Sequence, residues 1–229
     1  MQAQSLIVGI PSASITEPGH FVLAHESQLN VWDGANAYWN SFTFATYGIG
    51  ARTELASSLY GLSNPGSGNL ALGIGVKHSL PLLAPGRSRW EPTLTGGFMV
   101  PVSFSGRATG IWTYGMASAR VPALRNTRLT GGISYGTEQI FGRRVTAAMV
   151  GVEAPLSRRF SIFADWLSGT HDLAALIAAV GWQANRHFLL IIGPKIPNNA
   201  ASGRPALIIE AAYDFGPVGP AFGRRRGSH

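Results

Sequence analysis

The feature that most constrains the fold is a repeated segment of about ten residues in which apolar side chains alternate with small or polar ones. The clearest segment is Asn69–Ser79. Leu70, Leu72, Ile74, Val76 and His78 fall on one face, and Ala71, Gly73, Gly75 and Lys77 on the other. Side chains of a β-strand point alternately to the two faces of its sheet, so this pattern predicts a strand with one apolar face. The alternation recurs in Thr146–Ala154, Arg159–Leu167 and Ala206–Phe215.

Segments of this kind, each ended by a turn signal, cover most of the chain. We count twelve, at 19–27, 39–49, 52–61, 69–80, 91–103, 110–121, 127–138, 144–155, 159–167, 171–182, 187–195 and 204–215. The segment 110–121 alternates poorly, and we place Trp112, Tyr114, Ser118 and Arg120 on its inward face. The segment 171–182 is rich in Ala and Leu, for which intrinsic propensity favours a helix. We expect a strand there too, because both neighbours are strands and the turns are too short for a packed helix.

The low charge content indicates that much of the outer surface does not face water. Charged residues make up 13% of the 229 residues, against roughly 25% in an ordinary globular domain. The best apolar run, Leu173–Trp182, is shorter than the ~20 residues of a membrane-spanning helix. Only helices and closed barrels cross a bilayer. The sequence therefore predicts an all-β, closed, antiparallel, up-and-down transmembrane barrel of about twelve strands with short loops, over residues 19–215; a soluble barrel or sandwich is the alternative.

The last predicted strand resembles the C-terminal β-signal of bacterial outer-membrane barrels. Ala206–Phe215 alternates and ends in two aromatic residues spaced two apart, Tyr213 and Phe215. The stretch from Pro155 to Trp166 also resembles the turn-and-strand units of uncharacterised outer-membrane barrels. The resemblance implies an outer-membrane location and contact with the membrane's assembly machinery. An aromatic residue usually closes such chains, whereas a tail, 216–229, follows here; we interpret its Gly-Ser-His ending as a cloning remnant.

The N-terminal segment, residues 1–18, precedes the predicted barrel. Met1–Ser5 lacks the basic and apolar regions of a signal peptide. We expect a mature chain with an added Met, whose signal peptide is absent from this sequence.

Aromatic residues collect near the ends of the predicted strands, as in the two girdles that flank the apolar band of a membrane barrel. We predict membrane-interface positions for Trp39, Tyr60, Trp90, Phe160, Trp166, Trp182, Tyr213 and Phe215. The net charge of +7 resides mostly in arginines spread over the turns at both ends. This distribution favours contacts with lipid head groups and lipopolysaccharide phosphates. Nucleic-acid binding would instead need a single basic face with stacking aromatics.

Charged residues fall on the predicted inward face of several strands. We expect Arg52, Glu54, Lys77, Arg120, Glu153, Asp165, Glu210 and Asp214 to line the lumen. Eight strands are just filled by side chains and about 16 leave a wide channel, so twelve fall between these limits. Inward Gly and Ala residues favour a narrow channel for ions or small solutes. The alternative is a structural or interaction barrel whose lumen is closed by ion pairs, as in a subunit of a larger envelope assembly.

Other chemistry has weaker sequence support. Gly132–Gly136 matches the G-x-S-x-G motif, with Ser134 as nucleophile and Asp165 or Asp172, then His187, following in the order of an α/β-hydrolase. That motif functions at a sharp strand-to-helix turn, whereas this one lies inside an alternating segment, so lipid hydrolysis is the weakest of three hypotheses and we expect no enzyme. The six histidines lack metal-ligand spacing and cysteine is absent, so we expect no metal site and no cofactor.

Overall fold

A computed structural model describes residues 6–34, 37–61, 70–84, 86–104, 109–171 and 173–218. Within these ranges the chain forms twelve strands closed into one antiparallel barrel, in which each strand pairs with its chain neighbours and the first pairs with the last. They are β1 (His20–Asn30), β2 (Tyr38–Gly50), β3 (Thr53–Gly61), β4 (Leu70–Pro81), β5 (Thr93–Ser103), β6 (Trp112–Val121), β7 (Thr127–Gly136), β8 (Val145–Pro155), β9 (Phe160–Leu167), β10 (Ala175–Gln183), β11 (Phe188–Pro197) and β12 (Ala206–Pro217). The predicted fold is confirmed, including both weaker segments.

Alternating exposure along each strand gives the barrel an apolar outer face and a mixed inner face. On β4, Leu72 and Ile74 are exposed whereas Ala71 and Lys77 are buried. Apolar side chains point outward in the same way on the other strands: Leu55, Leu94, Leu129, Val150, Ile162, Leu176, Val180 and Ile192 are all more than a third exposed. A face of this composition is suited to hydrocarbon rather than water. No helix in the described part of the chain is long and apolar enough to span a bilayer.

The connections are short at both ends of the barrel. We call the end that carries His20 and Pro217 the inner end, and the opposite end the outer end. A one-turn helix, α1 (Glu138–Phe141), connects β7 to β8 at the outer end and stops at Gly142, whose φ is +71°. Short 3-10 turns lie at Pro122–Leu124 and Ala200–Ser202. The Phe141 ring of α1 is buried beside His171, with ring centroids 4.4 Å apart, so this connection folds over part of the lumen.

Of the residues before β1 that the structure describes, those up to Thr16 lie inside the barrel. Residues 6–18, which we call the luminal segment, include Ile7, Ile10, Ser12 and Thr16, each at most 1% exposed. A backbone hydrogen bond from Ile7 to the Ile10 carbonyl folds the segment back on itself. The buried apolar core of the protein is therefore found within the barrel, where the luminal segment packs against inward side chains.

Candidate functional site

The lumen is the candidate functional site, and one carboxylate holds the tip of the luminal segment there. Asp165 lies on the inward face of β9 and is 3% exposed. Its Oδ2 accepts hydrogen bonds from the backbone N–H groups of Val8 and Gly9, each at 2.8 Å. Asp165 thus fixes the turn of the segment against the barrel wall.

A buried ion pair holds the middle of the luminal segment on the opposite wall. Lys77 on β4 and Glu54 on β3 occupy paired positions, and their charged atoms lie 3.0 Å apart. Glu54 Oε2 accepts the N–H of Thr16 at 2.7 Å, and Lys77 Nζ donates to the Ser14 carbonyl at 2.5 Å. Buried charges need partners of this kind. The pair therefore joins two strands and also holds the segment.

Apolar packing fixes the segment against the β8–β12 side of the lumen. Ile7, Val8 and Ile10 belong to one buried cluster with the inward side chains of these strands, including Met149, Phe163, Leu167, Ile177, Ile191 and Ile208. A Cβ on Gly151 would lie 2.3 Å from Cδ1 of Ile7, so this glycine leaves the room that Ile7 occupies. This half of the lumen is filled.

The β1–β6 side of the lumen keeps a cavity of about 250 Å³. Leu6, Val8, Gly9 and Pro11 of the luminal segment form one wall of it. The other walls carry charged, amide and aromatic side chains; among them are Glu26, Gln28, Phe42, Phe44, Glu54, Tyr60, Lys77, Trp112, Tyr114 and Lys195. The barrel thus encloses a space with an apolar body and a polar rim.

A second cavity lies at the outer end and is continuous in its lining with the first. It measures about 440 Å³ and is lined by the connections around Tyr38 and Ala200–Arg204. Gln28, Asn40 and Lys195 line both cavities. Lys195 Nζ donates to Gln28 Oε1 at 2.9 Å, and Gln28 Nε2 donates to Glu26 Oε1 at 2.6 Å. These side chains form the neck between the outer end and the enclosed cavity.

The structure places most of the predicted luminal charges on inward faces. Glu54, Lys77, Asp165, Glu210 and Asp214 are buried, and Glu153 and Arg120 lie on the inward faces of β8 and β6. Arg120 is near the inner end, where Nε contacts Glu91 Oε2 at 2.5 Å. Arg52 differs from the prediction. It lies in the exposed turn before β3, because the strand begins at Thr53.

Several luminal polar residues were missed from the sequence, and four of them are charged or bond to a charged side chain. Glu26, Gln28 and Lys195 line the cavity, and Arg128 lies inward on β7 with Nη1 donating to Ser118 at 3.1 Å. The alternation could have identified them. Glu26 and Gln28 share a face of β1, and Lys195 shares a face of β11 with the buried Ile191. Gln28 lies just beyond the predicted end of its segment at residue 27, whereas Glu26, Arg128 and Lys195 lie within predicted segments whose alternation was not followed.

The predicted interface aromatics lie on the outward face, with one exception. Trp39, Trp90, Phe160, Trp166, Trp182, Tyr213 and Phe215 are between 38% and 71% exposed. Phe215 packs against Phe21, with ring centroids 5.7 Å apart at the inner end. Tyr60 instead faces the lumen and lines the cavity. It shares the inward face of β3 with Glu54 and Ser58, since all three occupy even positions of that strand.

Ser134 and its proposed partners do not form a hydrolase site. Ser134 is buried within β7, paired to Tyr114 and Ala147 on the neighbouring strands near the outer end. His187 lies in the β10–β11 turn at the inner end, where Nδ1 is 2.8 Å from the Asp214 carbonyl. Asp165 is engaged with the luminal segment, and Asp172 lies outside the described residues. Groups of three or more residues able to hold a metal ion do not occur in the described ranges.

The fold has counterparts among solved structures, although no family model and no curated protein matches the sequence. A structure of the KdgM porin in complex with disordered oligogalacturonate is 10% identical, with a TM-score of 0.58 over 86% of this chain and 99% of that chain. The translocator domain of the autotransporter NalP from Neisseria meningitidis is 14% identical, with a TM-score of 0.47 over 85% of this chain and 88% of that one. The outer-membrane channel DcaP of Acinetobacter baumannii is 13% identical, with a TM-score of 0.33 over 86% of this chain and 72% of that chain.

The KdgM comparison bears on the fold, and the apolar outer face bears on the surroundings. Outward apolar side chains flanked by exposed tryptophans require a lipid environment. Closure of β1 on β12 leaves no strand edge open to hydrocarbon. By its fold and its outer surface, the chain is a transmembrane β-barrel.

Proposed function

We propose that the protein is an outer-membrane channel for small solutes, whose width is set by its own luminal segment. The observation that carries this proposal is the enclosed cavity of about 250 Å³, which shares Gln28, Asn40 and Lys195 with the outer cavity. A barrel that served only as a scaffold would have no need of a polar neck leading to an internal space. The KdgM protein, whose fold is similar, is described as a porin.

The size of the barrel supports a narrow path rather than a wide one. A barrel of ~8 strands is filled by its own side chains, and one of ~16 leaves a broad aqueous channel. Here twelve strands enclose both a folded-back segment and a cavity. Solutes too large for a space of about 250 Å³ would have to displace Leu6–Pro11 from its place in the lumen. We therefore infer passage of small solutes only.

The alternative function is a closed structural barrel, and one observation favours it. The apolar side chains of Ile7, Val8 and Ile10 are packed as in a protein core, on the β8–β12 side. A core of this kind stabilises a fixed segment.

We assign no catalytic step to Ser134, and replacing it with Ala should leave phospholipid turnover in vesicles unchanged. We further propose that the outer-membrane assembly machinery binds the last strand, Ala206–Phe215. The arginines in the turns would contact lipopolysaccharide phosphates.

Single-channel recording in a planar bilayer tests the channel proposal. The full chain should show small discrete conductance steps, and a variant lacking residues 2–16 should show larger ones. An Ile7→Ser/Ile10→Ser double variant loosens the same segment without shortening the chain, and serves if the deletion does not fold. Heat-modifiable migration on a gel reports folding of all three proteins. Silence of the folded full chain would overturn the channel in favour of the closed barrel.

A further inference from the structure

From the lining of the enclosed cavity we propose that it binds an uncharged solute containing one aromatic ring and a hydrogen-bond acceptor. The proposal rests on the proposed channel function, since the cavity would be the solute's site on the path from the outer end. It goes further by naming the chemical class of the solute.

Aromatic rings from three strands surround the apolar part of the cavity. Phe42 and Phe44 of β2 are stacked with ring centroids 6.3 Å apart, and Tyr60 of β3 lies 6.5 Å from Phe42. Trp112 and Tyr114 of β6 approach each other with centroids 5.4 Å apart. Aromatic side chains favour offset or edge contacts with another ring. A solute with a flat ring can make such contacts with more than one of these walls.

A glycine on the strands between these walls positions the Tyr114 ring. Strands β4 and β5 lie between β3 and β6 and present Gly73, Gly75 and Gly97 to the lumen. A Cβ on Gly97 would lie 2.4 Å from the hydroxyl oxygen of Tyr114. The absence of side chains there lets the Tyr114 ring lie flat against the wall instead of projecting across the cavity. An engineered cavity of about 150 Å³ holds benzene, so the roughly 250 Å³ here admits one substituted ring.

The polar groups at the cavity select an uncharged solute with an acceptor. Two carboxylates, Glu26 and Glu54, and two ammonium groups, Lys77 and Lys195, contribute to the lining. Their charges balance, so an ion would enter without a net opposite charge to offset its lost hydration. The indole N–H of Trp112 is buried and has no hydrogen-bond partner among the described residues. A small rotation of the Trp112 ring would bring this nitrogen to the cavity, where an acceptor on the solute would satisfy it.

A sugar fits these walls poorly. Its hydroxyl groups are distributed around the whole ring and each needs a partner when it is removed from water. Phe42, Phe44 and the ring faces of Tyr60 and Tyr114 offer no such partners. The main polar side chains of the lining, among them Gln28, Glu54 and Lys77, already bond to other protein groups. The lining therefore favours a ring whose polar group is confined to one end.

Benzamide is the probe, tested on the full chain refolded in detergent with 5-fluorotryptophan in place of tryptophan. Only Trp112 lies at the cavity; Trp32, Trp39, Trp90, Trp166 and Trp182 are all at least 38% exposed on the outer surface or its connections. Benzamide should shift the Trp112 fluorine resonance in a saturable way, with Trp112→Phe identifying that resonance. The exposed tryptophans should show at most a linear change from benzamide dissolved in detergent. If the resonances of all six tryptophans instead changed linearly with benzamide concentration, partition of benzamide into the detergent would explain the changes. That result would overturn the site.

Calorimetric titration with matched variants tests the chemical class. Phe42→Leu removes one ring contact and should weaken benzamide binding about two- to twelvefold, since such contacts are worth ~0.5–1.5 kcal/mol and 1.4 kcal/mol is tenfold. Phe160→Leu makes the same change on the outer face and should leave it unaltered. Benzoate, cyclohexanecarboxamide and glucose should bind more weakly than benzamide; tighter binding of any of them would overturn the class. Binding without conductance would reject the channel alone, and conductance without binding would reject this site alone.

Discussion

Replacing Asp165 with Ala should release the tip of the luminal segment from the barrel wall. The Asp165 carboxylate accepts the N–H groups of Val8 and Gly9 at 2.8 Å each. Alanine leaves both donors without an acceptor while the segment stays in place. A buried donor left without an acceptor costs about 1–3 kcal/mol, so the two together give ~2–6 kcal/mol against the bound position. Since 1.4 kcal/mol is tenfold, the population of the released state should rise at least about 30-fold.

Cysteine labelling measures that population directly, because the chain contains no cysteine of its own. Ser12 is fully buried in the luminal segment, and Ser12→Cys is close to isosteric. When release and return are fast compared with the reaction, the labelling rate by a water-soluble maleimide follows the released fraction. The Asp165→Ala variant of this protein should therefore label at least about 30-fold faster than its parent.

Asp214→Ala is the matched control for this change. Asp214 is also an inward, buried aspartate, and its carboxylate contacts His20 and the Gly216 N–H at the inner end. Its removal should leave the labelling rate within about threefold of the parent, a change of ~0.6 kcal/mol. Heat-modifiable migration shows whether each variant is folded. Equal labelling rates in folded Asp165→Ala and Asp214→Ala proteins would refute the assigned role of Asp165.

Two further perturbations test how the wall itself is held together. Glu54→Gln or Lys77→Met alone removes one member of the ion pair, whose charged atoms are 3.0 Å apart, and should lower the free energy of unfolding by about 3–5 kcal/mol. The double replacement should recover most of that loss in urea titrations, and fully additive losses would contradict the coupling. A Cβ on Gly75 would lie 2.1 Å from the backbone oxygen of Phe98, whereas Gly115 has open space. Gly75→Ala should therefore reduce the yield of heat-modifiable barrel, Gly115→Ala should not, and equal yields would show that the wall adjusts.

The barrel could be predicted from the sequence because the membrane imposes one rule on every strand. Each strand must direct apolar side chains to lipid at every second position. Because the rule applies to each strand separately, the alternation is visible even in β10 (Ala175–Gln183), where intrinsic propensity favours a helix. The errors have two causes. Arg52 was placed on a strand that begins one residue later, and elsewhere position along the strand was used instead of alternation. Tyr60 was assigned to the interface because it lies near a strand end, although it shares its face with Glu54.

The luminal segment could not be predicted, because its contacts are long-range and follow no period. Val8 bonds to Asp165, which lies 157 residues further along the chain. The alternation predicts the strand that carries Lys77 and the inward direction of its side chain. It does not predict that Ser14 of the luminal segment is the group that Lys77 contacts. The sequence predicted inward charges; it left open whether they face water, each other or another part of the chain.

The same side chains hold the luminal segment and line the enclosed cavity, so the two functions proposed for the lumen are coupled. Glu54 and Lys77 bind Thr16 and Ser14 of the segment, and both also face the cavity, one wall of which is the segment itself. A solute in the cavity therefore has a different binding free energy when the segment is in place and when it is released. By linkage, the solute must shift the position of the segment by the same factor. If the solute binds more tightly when the segment is in place, it stabilises the segment in the lumen and so closes the path through the barrel. If the solute binds more tightly when the segment is released, it favours release and so opens the path.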